Sequence, residues 1–339
     1  MDLSNRTEVE IMNVEQMMGP LSEIFKNKEV SEIIVDSFDD VYWEQSGKIL
    51  ESSDLFKNSE EIFNVIKNIF RSIGRELNES QGYADCRLED GTRVAAVFGP
   101  ISLNGPALVI RKLPYHNVTL DNLISWNCLD DNGAKLIKKI MQKGKNVVLA
   151  GNAGSGKTTM ANVIVEQIDP TWRVVTVEKT AEMDFKRKRT LRLETPNAKQ
   201  EEMVELLKNA YQLRADYFIV NELVGAEAFE SVKFMKEGYS VLATIMAESC
   251  LDALKRIELL SMMSSYGFGV EELRHQIASG VQIVINQKRL ENGQRKIVGI
   301  TAIEGLTDDG KYKLKPLYSY DESSESFYLT KEGEKFLQA

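Results

Sequence analysis

The sequence predicts an α/β protein in two parts, a small α+β domain followed by a larger domain built on a mostly parallel sheet. Three observations carry this. Residues 30–112 hold short β-rich segments separated by turns, with one strongly helical stretch among them. From residue 123 onward, short apolar runs alternate with segments of helical periodicity, the pattern of a parallel sheet covered on both faces. Between one such run, Asn146-Val-Val-Leu-Ala150, and one such helix, starting at Met160, stands Gly151-Asn152-Ala153-Gly154-Ser155-Gly156-Lys157-Thr158-Thr159.

Taken in order, residues 1–30 are a polar, partly helical lead-in ending in Ile24-Phe25. Ile33–Val35 and Val41–Glu44 read as strands around the turn Asp36–Asp40, and Ser46-Gly47 turns the chain into Lys48-Ile-Leu50. Ile62, Val65, Ile66, Ile69, Phe70 and Ile73 recur at helical spacing after the cap Asn58-Ser59. Ala84–Leu88, Arg93–Phe98 and Ala107–Arg111 are strands, the first two joined by Glu89-Asp90-Gly91. Residues 1–112 therefore form the α+β domain, and the aperiodic, proline-containing stretch 113–122 is a linker. In the second domain, strands fall at Val147–Ala150, Arg173–Val177, Tyr217–Val220, Ser240–Thr244 and Val281–Asn286. Helices lie at 157–168, 200–213, 226–237 and 250–263. Residues 289–319 read as a β-hairpin with turns at Glu291–Gly293 and Asp308–Gly310, and the last twenty residues as an appended strand and helix. The second domain is set at 123–306 and a tail at 307–339.

Composition is that of a globular protein, 43% hydrophobic and 27% charged, with a formal net charge of −9. That balance argues against a protein whose task is gripping nucleic-acid backbone. Cys86, Cys128 and Cys250 are far apart and read as reduced thiols of a cytosolic protein. No signal peptide is expected at the start, and no apolar run approaches the ~20 residues that span a bilayer. Any work at a membrane would go through partners. His116 and His275 stand without Cys/His neighbours in the sequence, so neither is assigned to a metal.

The pattern Gly-x-x-x-x-Gly-Lys-Thr between a strand and a helix is a phosphate-binding P-loop. Glycines let consecutive backbone N–H groups converge on a polyphosphate, and the helix N-terminus adds partial positive charge. Lys157 would reach the β- and γ-phosphates and the Thr158 hydroxyl would hold Mg²⁺, so the cofactors read from the motif are ATP and Mg²⁺. The acid that completes such a site belongs at a strand end. Tyr217–Val220 runs into Asn221-Glu222, which assigns Glu222 as the Walker-B acid and second metal-side group. The strand 173–177 ends in Glu178, with Glu182 one turn on. Glu178 either polarises the lytic water or caps a helix. Arg87, Arg93 and Arg111, close to strand turns of the first domain, are candidates for neutralising phosphate charge or are ordinary surface arginines. Lys186-Arg-Lys-Arg189 reads as a solvated loop.

Four stretches together resemble one family. They are Asp85–Val94 followed by Gly105–Arg111; the P-loop; Val175-Thr-Val-Glu178-Lys-Thr-Ala-Glu182-Met183; and Leu213–Phe229 continuing through Ala243–Ser249 to Asp252–Glu258. Over residues 30–306 the chain is similar to the type II/IV secretion-system ATPases, and most to the CpaF branch that drives tight-adherence (Tad) pili. The resemblance implies a RecA-like P-loop NTPase domain preceded by a PAS-like α+β domain. It implies a homo-hexameric ring ATPase, peripheral on the cytoplasmic face of the inner membrane, that pushes on pilus or secretion platform proteins. By position, Glu178 and Glu182 fall in the family's Asp box, Glu222 in its Walker B, and Arg87, Arg93 and Arg111 on its nucleotide-facing arginines.

The chain departs from the family pattern at defined points. Lys179 follows the first Asp-box glutamate where an acid is usual. Asn221-Glu222 replaces Gly-Glu, and Val224 stands where an arginine is usual. Met246 occupies the His-box histidine position and Glu248 that of its asparagine. Methionine donates no hydrogen bond and senses no phosphate. Two functions follow: a motor ATPase, or a catalytically weakened nucleotide-binding regulatory paralogue.

Overall fold

The structure, a computed structural model, describes residues 13–45, 48–88, 90–112, 118–195 and 200–339. The Ser46-Gly47 turn, Glu89, His116 and the first half of the expected linker, residues 113–117, lie outside the described residues. The chain divides into two compact units, residues 1–116 and 117–339.

The first unit comprises α1 (Val14–Met18), α2 (Ser22–Lys26), β1 (Val30–Ser37), β2 (Asp40–Gln45), β3 (Lys48–Ser52), α3 (Ser59–Ser72), β4 (Tyr83–Arg87), β5 (Arg93–Val97) and β6 (Ala107–Arg111). Its strands form one antiparallel sheet in the order β3-β2-β1-β6-β5-β4. Alternation along the strands sends Ile33, Val35, Val94, Ala96, Leu108 and Ile110 to one face. There they meet Ile62, Val65, Ile66, Ile69 and Phe70, the apolar stripe of α3. Asn58 starts that helix by accepting the Glu61 N–H at 3.1 Å.

The second unit comprises α4 (Leu120–Ser125), α5 (Asp131–Gln142), β7 (Val147–Gly151), α6 (Lys157–Val165), β8 (Val174–Glu178), β9 (Thr190–Glu194), α7 (Gln200–Ala210), β10 (Tyr217–Leu223), α8 (Glu227–Lys236), β11 (Ser240–Ile245), α9 (Cys250–Ser261), α10 (Val270–Gly280), β12 (Ile283–Arg289), β13 (Arg295–Leu306), β14 (Tyr312–Asp321), β15 (Ser326–Leu329) and α11 (Lys331–Gln338). The strands form a nine-stranded sheet in the order β15-β14-β13-β12-β7-β11-β10-β8-β9. β12 through β9 in that order are parallel; β13, β14 and β15 extend the sheet antiparallel.

Two cores cover the two faces. Val147 and Leu149 pack with Ile219, Leu242, Ile283 and Ile285 against α5 and α6. Val148 and Ala150 pack with Phe218, Val220, Ala243 and Val284 against α7, α8, α9 and α10. A strand buried on both faces reads as a continuous apolar run, which is why these strands are visible in the sequence.

Two regions differ from the sequence reading. β9 continues the chain just past the basic run: Leu191 and Leu193 alternate with Thr190, Arg192 and Glu194, a pattern a five-residue edge strand states weakly. Residues 307–339 are not a separate tail. They supply β14, β15 and α11 to the sheet, and Leu317 and Tyr318 lie in the same core as β7. The Tyr318 hydroxyl donates to Asp130 Oδ1 at 2.9 Å and accepts the Asp130 N–H at 3.1 Å, while Asp130 caps α5. The polar face that β14 and α11 keep toward water hides this in composition.

Candidate active site

The glycine-rich segment leaves β7 at Gly151 and enters α6 at Lys157, at the carboxyl edge of the parallel strands where ligands bind in open α/β sheets. The turn is tight because the glycines permit it. Gly154 and Gly156 hold φ of +70° and +91°, a region costly for residues with a Cβ. A Cβ on Gly151 would overlap the Gln287 carbonyl and Ser155 Oγ. Asn152, Ala153 and Gly154 are exposed, whereas Ser155 is fully buried and its Oγ has no hydrogen-bond partner among the described residues. Thr158 and Thr159 occupy the first turn of α6, half-buried.

Lys157 reaches back over this loop. Its ammonium donates to the carbonyls of Gly151 at 2.9 Å and Asn152 at 3.2 Å, and lies 3.8 Å from Glu222 Oε1. Burial pulls its pKa below the ordinary lysine value; Glu222, and then Glu182, oppose that pull. Glu222 sits near the end of β10, two strands from β7, and its peptide bond to Asn221 is cis. Its Oε1 is buried and makes no hydrogen bond among the described residues. Asn221 turns its Oδ1 to the Thr244 hydroxyl at 2.7 Å, tying β10 to β11 beneath the site.

The sequence offers two roles for Glu178, polarising the lytic water or capping a helix. Glu178 is fully buried. Its Oε2 accepts the N–H groups of Glu182 at 2.7 Å and Met183 at 2.8 Å, and its Oε1 lies 3.7 Å from Arg192. Arg192 also donates to the Met183 carbonyl, bracing the same loop. Burial pushes the Glu178 carboxyl above its ordinary range, against the lowering pull of the two N–H groups and Arg192. Its surroundings are those of a buried cap for the loop that carries Glu182, the acid whose charge reaches Lys157. Lys179 is exposed. Met246 follows β11 half-buried, and the Glu248 carbonyl accepts Asn286 Nδ2 at 2.8 Å.

In the first unit Arg87, Arg93 and Arg111 form one row. Strand register sets Arg87 opposite Arg93 and Arg93 opposite Arg111 on three adjacent strands. The row continues to Glu32 on β1, opposite Arg111, whose Nε donates to Glu32 Oε1 at 2.6 Å. Reading turns alone does not reveal this row; it follows once the three strands are paired.

Within the second unit Arg289 and Arg295 border the glycine-rich loop, and the sequence reading did not single them out. Arg295 Nε donates to the Gly154 carbonyl at 3.2 Å. The turn Glu291-Asn-Gly293 signals their hairpin, but its position beside the loop depends on β12 pairing with β7, which no local pattern states.

Among the described residues no cluster of His, Cys, Asp and Glu could hold a metal by itself, and no helix is long and apolar enough to cross a membrane.

Comparison with known proteins gives the family. The profile described as Type II/IV secretion system protein matches residues 14–304. The conjugal transfer protein TrbB of Rhizobium radiobacter is 30% identical over 65% of this chain and 67% of its own length. The type IV secretion system protein VirB11 of Bartonella quintana is 22% identical over 88% of this chain and 94% of its own. Against two uncharacterized Methanocaldococcus jannaschii proteins, MJ0781 and MJ0900, the match spans only 26% and 48% of their lengths. Among solved structures, the ATPase DotB of Yersinia pseudotuberculosis has a TM-score of 0.63 at 17% identity, covering 91% of this chain and 84% of that one. The pilus retraction motor PilT with bound ADP has a TM-score of 0.58 at 17% identity, covering 89% and 83%. These two likenesses concern the fold. The profile match spans most of both units, and the chain belongs to the type II/IV secretion system protein family.

Proposed function

We propose that this chain is an ATP-binding and ATP-hydrolysing motor subunit with a RecA-like ATPase domain. The observation that carries the reading is the convergence of Lys157 and Glu222, 3.8 Å apart, over a glycine-rich loop at the carboxyl edge of the sheet. The residues fit ATP and Mg²⁺. The loop has the glycines a phosphate cradle needs at Gly151, Gly154 and Gly156, and the buried Glu222 Oε1 is an acceptor without a hydrogen bond. Gly151 to Thr159 would hold the phosphates, with Lys157 on the β- and γ-groups and Thr158 and Glu222 on the Mg²⁺ side. Held there, Mg²⁺ would supply neutralisation of the phosphate charge. Glu182 faces the lysine's charge, Glu178 positions Glu182 through their shared loop, and Glu222 orients the attacking water. Arg87, Arg93 and Arg111 remain proposed nucleotide-facing cations, on the family resemblance.

In this reading the chain works as a homo-hexamer, peripheral at the inner membrane on its cytoplasmic side. It drives inner-membrane platform proteins for Tad or type IV pilus assembly or retraction, or for type II/IV secretion, without binding nucleic acid directly. The relatives named for conjugal transfer, type IV secretion and pilus retraction support the machine class. A CpaF-like motor is the finer assignment. A second reading, a weakened nucleotide-binding regulatory or structural paralogue, is favoured by Lys179, Val224 and Met246. Steady-state ATP hydrolysis by the purified full chain decides between them. Turnover that Lys157→Ala abolishes supports the motor; turnover equal in both proteins, with ATP still bound by the unmutated chain, supports the paralogue.

A further inference from the structure

β12 and β13 meet at a turn, and Arg289 and Arg295 face each other across it in register. In the sheet order β12 lies on the side of β7 away from β10 and Glu222. Gln287 pairs level with Gly151, so the hairpin rises beside the glycine-rich loop, opposite the acids. Arg295 Nε donates to the Gly154 carbonyl at 3.2 Å, a neutral acceptor that leaves its charge intact. A Cβ on Gly156 would stand 3.0 Å from Arg295 Cδ and 3.3 Å from Gln287 Nε2, and one on Gly154 would stand 3.6 Å from an Arg289 terminal nitrogen. Gln287 is only 4% exposed, and its Oε1 has no hydrogen-bond partner among the described residues.

We infer that Arg289, Arg295 and Gln287 form the nucleoside-side wall of the nucleotide site. The inference rests on the nucleotide reading above and extends it. A polyphosphate on the N-terminus of α6 has its terminal group at Lys157 and Glu222, so its nucleoside end leaves toward β12. Guanidinium groups suit that end: they bind the α-phosphate bidentately and stack on a base. Gln287 Oε1 is an acceptor, which a ribose hydroxyl or a base amine satisfies and an ionised phosphate does not.

The test is calorimetric titration of the full chain with MgADP and with MgATP, for Arg289→Gln, Arg295→Gln, the double variant and Lys157→Ala. Both arginines are exposed, so the fold tolerates their loss, and Arg289→Lys/Arg295→Lys serves as a charge-retaining control. Each single variant weakens ADP and ATP binding by the same factor, ~3–10-fold. The double variant also shows a shallower dependence of Kd on ionic strength, which a merely structural loss does not give. Unchanged Kd in the double variant, with binding lost in Lys157→Ala, overturns the inference and leaves the nucleotide reading standing. A loss confined to ATP moves the arginines to the terminal phosphate and overturns it too. Failure of the unmutated chain to bind either nucleotide overturns both.

Discussion

The ammonium of Lys157 lies 3.8 Å from the carboxylate of Glu222, two residues 65 positions apart that β7 and β10 bring to one sheet edge. The distance is too long for a hydrogen bond, and Lys157 spends its donors on the loop carbonyls instead. The two side chains therefore have separable roles. On the proposed nucleotide reading, Lys157 would contribute to binding, with phosphates replacing the carbonyls as its partners, and Glu222 would contribute to the reaction. Glu222→Gln is expected to keep ADP affinity within ~3-fold and to lower kcat by ~10²–10³-fold, whereas Lys157→Ala loses both. Titration of ADP beside single-turnover ATP hydrolysis measures the split. Loss of ADP affinity in Glu222→Gln would assign Glu222 to the cradle itself.

Glu178 offers a stability signature. Its folded pKa is raised by burial, so the folded state holds the proton more tightly than the unfolded chain does. The stability it contributes is complete below the ordinary value of 4.5 and declines as pH rises through the folded pKa. Glutamine at this position accepts the same two N–H groups and carries no charge. The stability of Glu178→Gln relative to the unmutated chain is therefore expected to increase as pH is raised from 4.5 toward neutrality. Urea unfolding of both proteins across that range is the measurement, and a pH-independent difference would contradict the burial argument. Glu178→Ala leaves the Glu182 and Met183 N–H groups without their acceptor and costs about 1–3 kcal/mol.

The glycine-rich loop was legible because it is local: nine consecutive residues, a strand before and a helix after, each with its own period. Glu222 was legible for the same reason, as an acid at the end of an apolar run. Glu178 was legible as an acid at a strand end, but not its orientation, which depends on the loop that folds back over it and on Arg192 from the neighbouring β9. Arg289 and Arg295 were readable as hairpin residues. Their approach to Gly154 is set by the pairing of β12 with β7, more than 130 residues apart in sequence. Strand pairing over that separation leaves no periodic trace in either segment.

Met246 follows β11, at the position that the sequence resemblance assigns to a His-box histidine. Methionine there supplies polarizable bulk and no donor. Met246→His is expected to raise kcat by at least ~10-fold with little change in ADP affinity, since a restored polar group acts on the reaction rather than on the cradle. Multiple-turnover hydrolysis at saturating ATP reads it out. Equal kcat in both proteins would show that this chain's rate is set elsewhere, with Lys179 and Val224 as the next positions to exchange.

The C-terminal segment gives a test whose sign is unusual. Gly333 is a buried residue inside α11, and an exposed helical glycine replaced by alanine gains about 1 kcal/mol from propensity. Here the added Cβ would overlap the Leu317 carbonyl of β14 and stand 2.6 Å from Leu329 Cδ1. Backbone cannot yield as a flexible side chain does, so Gly333→Ala is expected to destabilise the second unit by about 1–3 kcal/mol. Tyr318→Phe removes both bonds to Asp130, at about 0.5–1.5 kcal/mol each, and loosens the start of α5. Ending the chain at Leu306 exposes the β13 edge and uncovers Leu317's and Tyr318's core partners, Ile300 among them. That truncation is expected to unfold or aggregate. Thermal unfolding of the three proteins checks the argument, and a truncated chain that melts like the full one would show that β14, β15 and α11 dock without supporting the sheet.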